Sequence, residues 1–148
     1  MATVEVTFTP LPVHVRTARL VATAVARRSG VAESLLDEVR LAVGEACSRA
    51  VEAHLRHCPG EPIRVALTDS GEQFEVVVTD AVPDPEHGGP PGTPGGSDVG
   101  FGPLDDEIPL RLPDGVGLAV IAGLADDGRV ASDSAGTSVI MSWKRRTG

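Results

Sequence analysis

Apolar and polar residues alternate at the start of the chain and then change to a helical spacing. The stretch from Thr3 to Phe8 has the two-residue period of a strand with one buried face, and prolines follow it. From about Val13 to Arg28, apolar residues recur at every third or fourth position, and Gly30 is the residue type expected just past a helix. The pattern predicts a strand followed by an amphipathic helix.

A second, longer helix is predicted from about Glu33 or Ser34 to His57. Its apolar stripe consists of Leu36, Val39, Val43, Ala46, Ala50 and Val51. Two strands are predicted after it, at Ile63 to Leu67 and at Phe74 to Val78. The residues between them, Asp69-Ser70-Gly71, are of the types that form a tight hairpin turn.

The pattern changes between residues 81 and 113, which are rich in proline and glycine and have hardly any periodicity. A loop of this length inside a domain is typically a functional segment or disordered. We expect residues 84–112 to be mobile or unlike a closed lid. A short helix at Gly117–Leu124 and strands at Gly128–Ser132 and Ser138–Trp143 are predicted next. This order of elements predicts an α+β fold, and the length fits a single domain over residues 1–148.

Composition restricts the classes of function. Hydrophobic residues make up 41% of the chain and aromatic residues only 3%, so the core must be aliphatic. A net charge of −8 gives no basic footprint for nucleic acid, so we expect a protein partner instead. No apolar run is long enough to cross a membrane, and we expect a cytoplasmic protein. Lys144 is the only lysine beside many arginines, which is typical of a GC-rich genome such as that of an actinomycete.

No metal or nucleophile site is evident from residue spacing. Cys47 and Cys58 form neither a disulfide framework nor a zinc motif. The four histidines, His14, His54, His57 and His87, have no metal-ligand spacing with the cysteines, and no catalytic triad is found.

The segment from Leu41 to Val51 resembles a specific motif. It contains Glu45-Ala46, two residues, then Arg49-Ala50. It is similar to the helix of the anti-sigma-factor serine kinases, which have the histidine kinase/Hsp90-like (GHKL, Bergerat) ATPase fold and read Glu-Ala, two residues, Asn-Ala. The resemblance implies a two-layer α/β sandwich with an ATP lid at about residues 81–113. It also implies that Glu45 is the catalytic base and that an Asn, absent here, holds Mg²⁺.

Arg49 stands where that Asn belongs. A guanidinium has only donors and a permanent positive charge, so it cannot coordinate Mg²⁺. Three interpretations remain open. Arg49 and Glu45, four residues apart, can form an ordinary helix-face ion pair. Arg49 can instead fill the vacated Mg²⁺ position, or it can contact a nucleotide phosphate without metal.

Three further stretches resemble the nucleotide-binding motifs of the same family. Asp80 follows a strand, as does the family's adenine-binding Asp, but Val82 and Asp84 replace both glycines of that motif. The stretch from Asp114 to Ile121 is similar to the Gly-x-Gly-Leu turn, with Gly115, Gly117 and Leu118 as the implied phosphate contacts. Asp126 matches the family's Asp after that helix. Gly136 and Thr137 match the last Gly-Thr strand, which makes Thr137 the remaining implied cofactor contact.

The resemblance extends to partners. Ala18-Arg19-Leu20 is similar to a stretch that these anti-sigma factors use in partner contacts, so Arg19, expected on the exposed helix face, is the implied partner-binding residue. The leading hypothesis is an anti-sigma factor without kinase activity and without cofactor, which sequesters an alternative sigma factor and is released by a STAS-type anti-anti-sigma protein. The alternative is an active Mg-ATP-dependent serine-protein kinase that phosphorylates this antagonist. A homodimer is also compatible with the resemblance.

Overall fold

The computed structural model describes residues 2–83, 121 and 123–145, in which five strands and two helices are formed. The strands are β1 (Ala2–Phe8), β2 (Ile63–Asp69), β3 (Gln73–Asp80), β4 (Asp127–Asp133) and β5 (Gly136–Lys144). The helices are α1 (Pro12–Arg28) and α2 (Leu36–His57), with a 3₁₀ turn at Glu33–Leu35 before α2. Residues 121, 123 and 124 are also helical.

The strands form one antiparallel sheet in the order β1-β2-β3-β5-β4. In β3 and β5, Phe74 lies opposite Trp143 and Asp80 lies opposite Thr137. Every second residue of the central strands is buried, as in β3, where Phe74, Val76, Val78 and Asp80 are buried and their neighbours are not. The helices pack on this buried face of the sheet, with α1 against α2 and α2 over β3. The predicted α+β fold with two layers is confirmed.

The core is aliphatic, as the composition predicts. Small residues of α1, among them Ala18, Ala22 and Ala26, are buried together with Val39 and Val43 of α2. Small side chains let the two helix axes approach closely. The large exceptions are the aromatic residues Phe74 and Trp143, which are both fully buried. Trp143 donates its indole N–H to the carbonyl oxygen of Leu124 at 3.0 Å.

The end of α1 lies where the sequence predicts it. Gly30 has a φ of +93°, a value that glycine adopts without strain. The N–H of Gly30 donates to the carbonyl of Arg27, and the N–H of Val31 donates to that of Ala26. This pair of bonds is the Schellman motif, which satisfies the last carbonyls of the helix.

Some predicted boundaries differ from the observed ones. The α2 helix begins at Leu36, because residues 33–35 form a 3₁₀ turn, a common start for a helix. The strands of the hairpin extend further than predicted, to Asp69 and to Asp80. The predicted lid at 81–113 and its mobility fall almost wholly outside the described residues, as does most of the predicted helix at 117–124.

Candidate functional site

The candidate site lies where α2 passes over the end of β3 and the beginning of β5. Helix α2 contributes Glu45, Arg49 and His54, and the two strands contribute Asp80 and Thr137. Asp80 and Thr137 are opposite each other in the antiparallel ladder, so the fold brings these two predicted residues together. The implied phosphate contacts Gly115, Gly117 and Leu118 lie outside the described residues.

Asp80 and Thr137 both bond to the turn that follows β3. One carboxylate oxygen of Asp80 accepts the N–H of Val82 at 2.8 Å, and the hydroxyl of Thr137 donates to the carbonyl oxygen of Val82 at 2.8 Å. Ser132 on β4 lies 3.2 Å from the same hydroxyl oxygen. Both polar groups of the Val82 backbone are therefore bonded within the protein.

Gly136 makes this arrangement sterically feasible. A Cβ atom at this position would clash directly with the carbonyl oxygen of Asp80. Any other residue at position 136 would push β5 away from the end of β3. The Gly-Thr pair that the sequence indicates is thus required by packing at the site, with the glycine giving room and the threonine giving the hydrogen bond.

Asp80 is a buried residue, only 4% exposed overall. Burial raises the pKa of Asp80, because a charge is less stable away from water. The N–H of Val82 and the positive charge of Arg49 act in the opposite direction and reduce this rise in pKa. Arg49 on α2 is therefore electrostatically coupled to Asp80 at the end of β3.

Glu45, the predicted base, is half-buried on α2. Burial raises the pKa of Glu45, and the negative charge of Glu52, seven residues further along the helix, raises it as well. A carboxyl group with a raised pKa holds a proton more readily, which is the property a general base needs. The predicted ion pair between Glu45 and Arg49 stays a prediction.

His54 is a site residue that the sequence analysis missed. It is fully buried, its Nδ1 lies 2.9 Å from the carbonyl oxygen of Glu61, and its Nε2 accepts the N–H of Ala81 at 2.8 Å. The signal is present in the sequence, because position 54 continues the apolar stripe of α2 four residues after Ala50. A histidine in a buried stripe needs partners for both ring nitrogens, so it marks a place where α2 meets other backbone.

Arg19 is placed differently from the expectation. It is partly buried rather than exposed, because its side chain crosses Gly44 on α2. A Cβ atom at Gly44 would lie only 2.6 Å from Cδ of Arg19. The sequence signal here is a glycine in the middle of a helix, which usually has a packing reason. Arg19 also acts on Cys47 of α2. Burial raises the pKa of the Cys47 thiol to about 12, and the positive charge of the Arg19 guanidinium opposes this rise.

The described residues do not fit a magnesium ion. Within residues 2–83, 121 and 123–145, no group of three or more His, Cys, Asp or Glu side chains is placed to hold a metal. By the sequence resemblance, Arg49 stands in place of the family's metal ligand, and its positive charge repels a cation.

The comparisons with known proteins agree with the fold. The family model described as the histidine kinase-like ATPase domain matches residues 8–143. The structure of the RsbU and RsbW domains of Rv1364c from Mycobacterium tuberculosis superposes with a TM-score of 0.65 at 16% sequence identity, covering 99% of this chain and 34% of that one. The chain thus spans about a third of the length of that protein.

Two further observations complete the comparison. Among curated proteins, no match to the chain is found. In the described part of the chain, no helix is long and apolar enough to span a membrane. Because the family model matches residues 8–143, the chain belongs to the family of histidine kinase-like ATPase domains.

Proposed function

We propose that this protein is an anti-sigma factor that sequesters an alternative sigma factor and is released by a STAS-type anti-anti-sigma protein, without kinase activity of its own. The observation that carries the proposal is the position of Arg49. The sequence resemblance assigns it to the position of the family's metal ligand, and on α2 its charge acts on Asp80. Phosphoryl transfer needs metal ions to neutralise phosphate charge, whereas binding a protein needs only the fold.

The turn after β3 supports the same proposal. Val82 replaces a glycine of the family motif, and its backbone N–H and C=O are bonded to Asp80 and Thr137. A side chain at this position restricts how closely a nucleotide can approach the backbone. We expect neither ATP nor Mg²⁺ to be needed as a cofactor.

One observation favours the alternative function, an active Mg-ATP-dependent serine kinase. The raised pKa of Glu45 is typical of a general base, and the sequence resemblance assigns this residue to the family's base position. Transfer of labelled phosphate from ATP to a purified STAS antagonist separates the two functions. We expect no transfer, and Arg49→Asn alone should not restore it because Val82 and Asp84 remain.

Nucleotide binding is tested separately by isothermal titration of the protein with ATP and ADP, each with and without Mg²⁺. Absence of heat in all four titrations supports a decayed site. Binding that needs no metal would favour a contact between Arg49 and phosphate. Binding that requires Mg²⁺, together with phosphate transfer, would establish the kinase and contradict the proposal.

The sigma factor itself is identified by affinity capture from the native host, followed by binding measurements with the purified proteins. Arg19 is the contact residue that the proposal names. Truncation of an arginine hot spot commonly costs about 2 kcal/mol, roughly thirtyfold in affinity. Arg19→Ala should weaken capture to about this extent while leaving the fold intact. A loss below about threefold would show that Arg19 makes no such contact.

A further inference from the structure

The outward face of α1 has two large apolar side chains that nothing in the described structure covers. Val13 is 65% exposed and Leu20 is 59% exposed. They are seven residues apart, which places them on one side of the helix at a separation of about 10.5 Å along its axis. Ala24, also exposed, continues the same line. The opposite side of α1 carries the alanines that pack into the core.

Arginines border this apolar line on both sides. At about 100° per residue, Arg16 and Arg27 lie on one side of the line from Val13 to Leu20, and Arg28 lies on the other. All three are exposed. Arg27 is paired with Glu33 at 2.9 Å, whereas no ion pair of Arg16 or Arg28 is found within the described residues.

The charge of α1 contrasts with that of the whole molecule. Helix α1 carries four arginines and no acidic residue, while the chain has a net charge of −8. A positive face on an acidic protein attracts an acidic partner and orients it at the same time. An exposed apolar line bordered by such charges has the composition of a protein-binding surface.

We propose that Val13, Arg16, Leu20 and Arg28, which we call the basic face of α1, bind an acidic amphipathic helix of a protein partner. Apolar residues at seven-residue spacing on the partner helix match the spacing of Val13 and Leu20. Its flanking Asp and Glu residues meet Arg16 and Arg28. The inference rests on the proposed function only in that the partner is a protein, and it adds the chemistry of the partner's surface.

Other occupants fit this face less well. A second copy docked by the same face would bring arginines against arginines. Anionic membrane or nucleic acid would meet a molecule with a net charge of −8, and two large apolar side chains provide little area for insertion into lipid. A helix of opposite charge satisfies both the apolar line and the arginines.

The test uses the ¹⁵N-labelled 148-residue chain and a defined probe. The probe is a synthetic 21-residue helical peptide, designed with leucines at coiled-coil core positions and glutamates beside them. A second peptide has lysine in place of every glutamate. We expect the acidic peptide to shift the amide signals of residues 13–28 in a saturable way, and the lysine peptide to leave them unchanged.

Matched variants then locate the contact. Arg16→Glu combined with Arg28→Glu should weaken binding of the acidic peptide at least about tenfold, and so should Leu20→Ser. The charge control is Arg64→Glu combined with Arg129→Glu, two exposed strand residues outside α1. The apolar control is Leu55→Ser, since Leu55 is 47% exposed on α2. Both controls should change the affinity less than about twofold.

Several outcomes would overturn the inference. The first is that about 1 mM acidic peptide shifts no amide signal of α1, and the second is that the two peptides bind equally well. The third is that the test and control variants change the affinity equally. The fourth is that α1 binds anionic vesicles and not the peptide. Capture of the purified sigma factor is measured independently. If wild-type protein binds it and the Arg16, Arg28 and Leu20 variants bind it equally well, the basic face is refuted while the proposed function stands. If the protein binds the acidic peptide but not the sigma factor, the basic face stands and the proposed function is refuted.

Discussion

The imidazole of His54 on α2 accepts a hydrogen bond from the backbone N–H of Ala81, with 2.8 Å between the two nitrogens. The other ring nitrogen then donates to the carbonyl oxygen of Glu61 at 2.9 Å. Only the neutral ring with its proton on Nδ1 satisfies both neighbours, since a carbonyl cannot donate and an amide N–H cannot accept. One side chain thus joins the end of α2, the loop after it and the chain leaving β3.

His54→Ala should destabilise the protein by roughly 3 kcal/mol. The change leaves a buried donor and a buried acceptor without partners and opens a cavity, and each lost partner alone costs about 1–3 kcal/mol. His54→Gln should cost less, because its amide oxygen can replace Nε2 as the acceptor for Ala81. Urea unfolding measures both variants.

Hydrogen exchange distinguishes this role from simple packing. In His54→Asn the side chain can still reach Glu61 but is too short to accept from Ala81, so the Ala81 amide should exchange faster than in His54→Gln. Equal exchange of this amide in the two variants would show that the histidine only fills space.

The elements with clear periodicity were predictable from the sequence. Strict alternation placed the strands, and three- to four-residue spacing with a terminal glycine placed α1, because these patterns report one buried face directly. The predicted start of α2 came before the observed one, because the sequence of residues 33–35 is compatible with either a 3₁₀ turn or a first helical turn. Strand ends such as Asp80 were missed because a buried aspartate does not look like a core residue.

The candidate site was only partly predictable. Asp80 and Thr137 were singled out separately by the resemblance, and they come together because they are opposite each other in the ladder. The sequence analysis did not predict this register. The contacts of His54 and Gly44 depend on how α2 packs on β3 and α1, and a single sequence does not give that packing. Arg19 was expected in solvent because arginine side chains are usually exposed. Gly44 has no Cβ, and this leaves room for the apolar stem of Arg19 to lie against α2.

Three glycines allow a graded test of close approach. Gly136→Ala should destabilise the protein by on the order of 3 kcal/mol, because the new Cβ would clash with the carbonyl oxygen of Asp80. Gly71→Ala should cost about 1 kcal/mol, since its φ of +96° is unfavourable for alanine although the space around it is open. Gly60→Ala, with open space and no positive φ, should change the stability by less than about 0.5 kcal/mol.

The free energy of unfolding gives the order of the three variants directly. If Gly136→Ala were no more destabilising than Gly71→Ala, then β5 would move away from Asp80 without cost. The close contact between the two strands would then have no role in holding Thr137 against Val82.

Asp80 should make the folded state less stable as pH rises. Burial raises its pKa in the folded protein above the ordinary value of 3.8, so the folded state holds this proton more tightly than the unfolded state. Below pH 3.8 both states are protonated and the group has no effect. As pH rises through the folded pKa the destabilisation grows to its full size.

Asp80→Asn removes this charge and keeps an oxygen that can accept the N–H of Val82. The stability gained by this variant over the wild type should therefore be small at pH 3.5 and larger at pH 7, as measured by urea unfolding across that range. Asp133→Asn is the control, because Asp133 is exposed and accepts a similar turn hydrogen bond from Ala135. A difference for Asp80→Asn that is constant with pH would contradict the assignment to burial.

The contact between Arg19 and Gly44 should appear as an energetic coupling. Alanine is favoured over glycine inside a helix by about 0.5–1 kcal/mol, yet a Cβ at position 44 would lie 2.6 Å from Cδ of Arg19. Gly44→Ala should therefore be neutral or destabilising in the wild type, where the arginine stem must move. In the Arg19→Ala background, where nothing obstructs the methyl group, the same change should be stabilising.

Unfolding of the two single variants and the double variant gives this coupling, which we expect to be about 1 kcal/mol or more. The control cycle pairs Gly44→Ala with Arg16→Ala, because Arg16 lies on the exposed side of α1. The effects in that cycle should add within about 0.5 kcal/mol. Additive effects in the Arg19 cycle as well would mean that Gly44 does not determine where the stem of Arg19 lies. In that case Gly44→Ala should also leave capture of the sigma factor unchanged. If Gly44→Ala instead displaces the guanidinium of Arg19, capture should weaken while the stability stays nearly unchanged.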